Sequence, residues 1–137
     1  MGARTKARKR ALDVLYGADV RQVSINSALA VEAERAAANP QRESSWVYAR
    51  QIVEGVAEHG DEIDELIETY AQGWSISRMP TVDRAIVRIG IWELLFNEQV
   101  PDGVAISEAV ESATVLSTDD SAGFINGLLW RIAQTRA

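Results

Sequence analysis

Hydrophobic residues recur along this chain with a period near 3.6, and no stretch alternates convincingly with period 2, so the pattern predicts helices throughout. Seven segments emerge. The first runs from about Lys6 to Arg21, with Ala7, Ala11, Val14, Leu15 and Ala18 on one face. The second runs from about Ser27 to Ala38 and stops before Asn39-Pro40, because proline disfavours helix in the residue before it. The third starts near Ser44, a good N-cap, and carries Val47, Ile52, Val53 and Val56. Gly60-Asp61 interrupts it. The fourth carries Ile63, Leu66, Ile67 and Tyr70, with Gly73 as a left-handed C-cap.

The fifth segment follows Pro80-Thr81 and runs to about Asn97. Val82, Ala85, Ile86, Ile89, Trp92 and Phe96 line one face, and Val87, Ile91, Leu94 and Leu95 fill much of the other. A helix that is apolar nearly all round is buried on several sides, so this one is expected at the centre of the fold. Val100-Pro101-Asp102-Gly103 makes the next turn. The sixth helix carries Ile106, Ala109, Val110, Ala113 and Leu116. The seventh starts near Asp120-Ser121 and carries Phe124, Ile125, Leu128, Leu129 and Ile132.

Composition narrows the class. A chain of 137 residues fits one domain or two closely fused helical bundles, and 47% hydrophobic against 25% charged residues excludes wholesale disorder. With no cysteine, disulfides and thiolate metal sites are excluded, and a cytoplasmic address is the simplest reading. No apolar run approaches the ~20 residues that span a bilayer, and no signal-peptide stretch follows the basic N-terminus. No Gly-rich phosphate loop or metal-ligand spacing is present, so neither a cofactor nor a catalytic role is expected. His59, the one histidine, sits at a helix end where imidazolium helps satisfy the helix dipole. Asp119-Asp120 reads as a helix cap more readily than as a carboxylate pair for acid–base chemistry.

The net charge of −6 is unevenly spread: Arg4, Lys6, Arg8, Lys9 and Arg10 put +5 into seven residues and leave −11 on the rest. Such a basic end on an acidic body points to a localised anion site, although a solvated basic tail is the competing reading. On an ideal wheel Lys6, Lys9 and Arg10 lie opposite the apolar stripe, whereas Arg4 and Arg8 fall at the edge of the core face. Five like charges near a helix N-terminus predict a frayed first turn that orders when an anion arrives. Five phosphate contacts to a single-stranded nucleic acid would give a log-log salt slope of about −3.5. Tyr16, on a flank of the same helix, is placed to stack on a base. Arg88 and Glu93, on the central helix, are expected in an internal ion-pair network, while Asp83 and Arg84 in its first turn are expected to be exposed enough to meet a partner.

These blocks, in their order, resemble the NusB family of bacterial transcription antitermination factors. The arginine-rich opening Lys6-Ala7-Arg8-Lys9-Arg10-Ala11-Leu12-Asp13-Val14-Leu15-Tyr16 is similar to the family's first helix. Met79 to Ile89, followed by Trp92-Glu93-Leu94, resembles its fifth. Val100-Pro101, Ile106 to Val110, Ser117 to Ser121 and Phe124-Ile125-Asn126-Gly127 continue the pattern. The chain departs from many members at Thr5 and at Thr114-Val115, where they carry basic residues; both changes remove positive charge.

The resemblance implies an all-α fold of seven helices in two roughly perpendicular helical bundles. It implies a single RNA-binding domain over 1–137, with an N-terminal bundle to about 78 and a C-terminal bundle from about 79. It implies binding of boxA RNA in nascent ribosomal RNA together with NusE, a small-subunit ribosomal protein, within an RNA polymerase antitermination complex. Carried over by position, the RNA surface comprises Arg4, Lys6, Arg8, Tyr16, Asp120 and Phe124, with Lys9 and Arg10 added by proximity; Asp83 and Arg84 lie on the NusE side. Whether the free protein is a monomer or a homodimer stays open. Two other readings compete: an accessory module of a ribosomal RNA methyltransferase system, and a helical protein–protein scaffold with no RNA role.

Overall fold

The computed structural model describes residues 2–39 and 43–136, with the side chains of 43 and 44 left out, so the Ser44 cap lies outside the described residues. It consists of seven α-helices: α1 (Ala3–Arg21), α2 (Ile25–Ala37), α3 (Glu43–Glu58), α4 (Gly60–Tyr70), α5 (Thr81–Phe96), α6 (Asp102–Leu116) and α7 (Asp119–Gln134). A 3-10 turn, Ile76–Arg78, precedes α5, and there is no strand among the described residues. No described helix is long and apolar enough to cross a membrane. The chain divides into two compact units between Glu58 and His59. The sequence reading grouped α4 with the first bundle, yet α4 packs on α5 and α7 in the second unit.

In the first unit α1 packs chiefly on α3, with α2 against both. The contact is built from small residues: Ala7, Ala11 and Ala49 are completely buried, and Ile52 and Val53 fill the space between. Alanines let two backbones approach closely while costing no side-chain entropy. Two expectations shift here. The second helix begins earlier than Ser27, because the Ser24 hydroxyl accepts the Ser27 N–H at 3.0 Å and caps it there. Val47 is 63% exposed, and its neighbours Trp46 and Tyr48 are buried in its place.

In the second unit α5 is the centre, as its all-round apolar pattern predicted: Ala85, Ile86, Val87, Ile89, Ile91, Trp92 and Leu94 are all buried. Helices α4, α6 and α7 pack around it. Gly90 admits one of these neighbours closely, since a Cβ there would stand 2.9 Å from Leu129 Cδ1. Arg88 reaches Asp64 of α4 through two hydrogen bonds of 3.0 Å, a bidentate guanidinium–carboxylate pair. Glu93, expected in that network, is itself buried, and Arg88 pairs with Asp64. Gly73 takes the predicted left-handed conformation (φ 83°), three residues beyond the end of α4.

Candidate nucleic-acid interface

The basic cluster is helical throughout. Helix α1 starts at Ala3, before the predicted Lys6, and the Lys6 N–H already bonds the Gly2 carbonyl at 3.1 Å. Local support for that start is small: Gly2 supplies no side-chain cap and the first turn holds no acid. The support comes from α3. The Arg4 guanidinium stands 4.9 Å, and that of Arg8 5.9 Å, from the centre of the Tyr48 ring. Arg10 stands 5.1 Å from the Trp46 ring centre, within the range where a cation feels the negative face of an aromatic.

This packing sorts the five cations. Arg4, Lys6 and Lys9 are exposed. Arg8 is only 8% exposed and lies against Tyr48 in the α1–α3 contact. Arg10 is mostly covered as well: it donates to Glu32 and to the Ser45 hydroxyl, each at 3.1 Å. The sequence placed Arg10 opposite the apolar stripe, but α2 and α3 close over that side and supply its partners. Tyr16 lies further along α1 and is 44% exposed, so its ring is accessible.

Beside this surface, a groove of about 280 Å³ runs between α1 and α2, lined by Arg10, Asp13, Gly17, Val31, Glu32 and Arg35 among others. Glu32 is held between Arg10 at 3.1 Å and Arg35 at 3.7 Å. Burial pushes the Asp13 carboxyl above its ordinary value, against the pull of Lys9 and with the help of Glu32.

The other candidates lie in the second unit. Asp83 is completely buried, contrary to the expected exposure. Its Oδ2 accepts the Ser121 hydroxyl at 2.6 Å, and its Oδ1 has no partner among the described residues. The start of α5 is thereby fixed to the start of α7, so Asp83 cannot itself present a surface to a partner. Arg84 is half-buried and donates to the Ile76 carbonyl (3.2 Å) and the Thr81 hydroxyl (3.3 Å). Thr118, and not Asp120, caps α7, its hydroxyl accepting the Ser121 N–H at 3.0 Å. Asp119 and Asp120 occupy the exposed first turn, where carboxylates complement the positive end of the helix. Phe124, one turn on, is half-buried against Trp74 with ring centroids 4.8 Å apart. His59 stacks on Phe96 at 3.8 Å, a packing role beside its helix-end position.

Sequence reasoning missed Trp46 and Tyr48. A Trp-Val-Tyr run offers two alternatives for the buried face, and the single Val looked like the core residue. The available signal was the cluster itself, since two arginines at the edge of a core face require something to receive them.

Comparison with known proteins adds independent findings. The sequence model of the NusB family matches residues 5–134. A transcription antitermination protein NusB from Leifsonia xyli subsp. xyli is 75% identical, over 99% of this chain and 94% of that protein. Another from Clavibacter sepedonicus is 68% identical over the full length of both. Among solved structures, T. maritima NusB superposes with a TM-score of 0.82 at 30% identity, covering 96% of this chain and 90% of that one. A crystal structure of the antitermination factors NusB and NusE in complex with dsRNA gives 0.84 at 28% identity, covering 98% of each chain.

Proposed function

Because the chain belongs to the NusB family, we propose that it is a transcription antitermination factor that binds boxA-type RNA in nascent ribosomal RNA together with NusE and so supports processive transcription. The observation that carries this reading is the near end-to-end identity of 75% with a transcription antitermination protein NusB. The geometry of α1 supports it. Three exposed cations in the first half of α1, with an exposed tyrosine further along it, stand on an otherwise acidic chain, the combination that holds phosphates and stacks an unpaired base. Arg4, Lys6 and Lys9 take the phosphate role, and Tyr16 the stacking role. Arg8 and Arg10 act behind them. In the second unit, Asp120 is exposed to accept from a base amine, and Phe124 offers the part of its ring that Trp74 leaves open.

On the NusE side, Arg84 is the residue we assign to the contact. Asp83 supports it from the interior by fixing the start of α5. The protein acts by binding, with no catalytic step and no cofactor, as part of a cytoplasmic RNA polymerase antitermination complex.

A filter-binding titration with boxA RNA, run with and without NusE, tests this reading. RNA retention that strengthens when NusE is added supports it. Binding of NusE with no RNA affinity in either arm would favour a protein–protein scaffold. Methyl transfer to ribosomal RNA only when the protein joins a methyltransferase would favour the accessory module.

A further inference from the structure

We propose that Tyr48 is a positioning residue of the RNA surface: its ring receives Arg4 and Arg8 and so holds the first turn of α1 folded before RNA arrives. The inference rests on the RNA reading above and names the device that pre-forms that site. Its starting point is a helix end with little local support. Gly2 provides no side-chain cap, and the first turn contains no carboxylate. Arg4 and Arg8 are like charges four residues apart on one helix, which repel, and Arg4 sits in the first turn, where the helix dipole disfavours cations. Yet α1 is helical from Ala3.

Tyr48 offsets part of this. It projects from α3, is only 9% exposed, and has Arg4 and Arg8 at 4.9 and 5.9 Å from its ring centre. The negative face of one ring attracts both guanidiniums, and its burial strengthens that attraction relative to water. The two arginines then divide the work. Arg8 is nearly buried and anchors the turn, while Arg4 stays exposed with its side chain directed by the ring. Lys6 and Lys9 ride on the same turn. RNA therefore meets cations that are already ordered, and binding does not carry the cost of ordering them.

The test uses the full chain with Tyr48→Phe, Tyr48→Leu and a series of ring-fluorinated phenylalanines at position 48. Two quantities are read: affinity for boxA RNA, and hydrogen exchange of the Lys6 amide in the RNA-free protein. Tyr48→Leu is expected to weaken RNA binding by roughly 3- to 10-fold, the cost of re-ordering one or two long side chains, and to speed exchange at Lys6. Tyr48→Phe, which keeps the ring, is expected to restore both. Fluorination withdraws electron density from the ring face with little change in size, so affinity should fall stepwise along the series. Wild-type affinity and protection in folded Tyr48→Leu would overturn the proposal. So would a Tyr48→Phe loss equal to that of leucine, or a flat fluorination series. If the leucine variant does not fold, the fluorinated series decides. If the unmodified protein fails to bind boxA RNA, the RNA reading fails by itself, and exchange at Lys6 still decides whether the ring orders the turn.

Discussion

The salt dependence of RNA binding counts the cations that reach phosphate, and the structure changes that count. The sequence offers five positive charges between Arg4 and Arg10, whereas burial leaves Arg4, Lys6 and Lys9 on the surface. For single-stranded RNA each neutralised phosphate adds about −0.7 to the log-log slope, so three contacts give about −2.1 and five about −3.5. Between 50 and 200 mM salt those slopes correspond to affinity losses of about 20-fold and about 130-fold, which are easily separated. Fluorescence anisotropy with labelled boxA RNA across that range measures the slope directly. Removing two surface contacts with Lys6→Ala/Lys9→Ala should reduce the slope to about −0.7 without lowering thermal stability, since both side chains are exposed. Arg8→Ala should behave oppositely, lowering stability while barely changing the slope, because Arg8 is 8% exposed and packs beside Tyr48. A wild-type slope near −3.5 would refute the reasoning, for it would require Arg8 and Arg10 to leave their aromatic and carboxylate partners and enter the interface.

Ser121→Ala should cost roughly 2–3 kcal/mol in urea unfolding, because it leaves the buried Asp83 carboxyl without its donor; a loss below about 0.5 kcal/mol would show that the 2.6 Å contact holds nothing. Gly90→Ala should be destabilising by about 1–2 kcal/mol, since overpacking against the fully buried Leu129 outweighs the helix propensity gained; a rise in Tm would contradict the close approach of α5 and α7. Asp13 has a raised folded-state pKa, so the folded protein holds this proton more tightly than the unfolded chain, and the stability that results is lost as pH rises through the folded value. Asp13→Asn should therefore raise Tm at pH 7, with the gain shrinking as pH falls through the raised folded value and vanishing below the ordinary carboxylate value of about 3.9; a gain independent of pH would point to another cause.

The fold was legible because its instructions are local and periodic. The nearly continuous apolar surface of α5 states its own central position, and Pro80, Pro101 and Gly73 mark the breaks on either side of it. The site was legible only as a charge anomaly. Five cations on an acidic chain are visible in the sequence, but which of them face water depends on a second helix more than thirty residues away, and periodicity carries no information about that. Asp83 illustrates the same limit. A first-turn carboxylate is ordinarily exposed. Only the tertiary approach of α7 gives it Ser121 and turns it into an internal tie between two helix starts. The cap at Thr118 was misassigned by two residues for a simpler reason: Thr118, Asp119 and Asp120 are all good caps, and the sequence does not choose among them.

The central claim is that Arg4, Lys6 and Lys9 of α1 supply the phosphate contacts that hold the RNA, and that NusE binds elsewhere on the chain. The combined variant Arg4→Glu/Lys6→Glu/Lys9→Glu tests it in one sample, with NusE present and with boxA RNA and NusE binding measured side by side. Unlike deletion of the first ten residues, it keeps the buried Ala7 and Arg8 in the α1–α3 contact. The account predicts a folded protein that binds NusE with unchanged affinity and boxA RNA at least roughly tenfold more weakly. RNA affinity equal to wild type in that folded variant would contradict it.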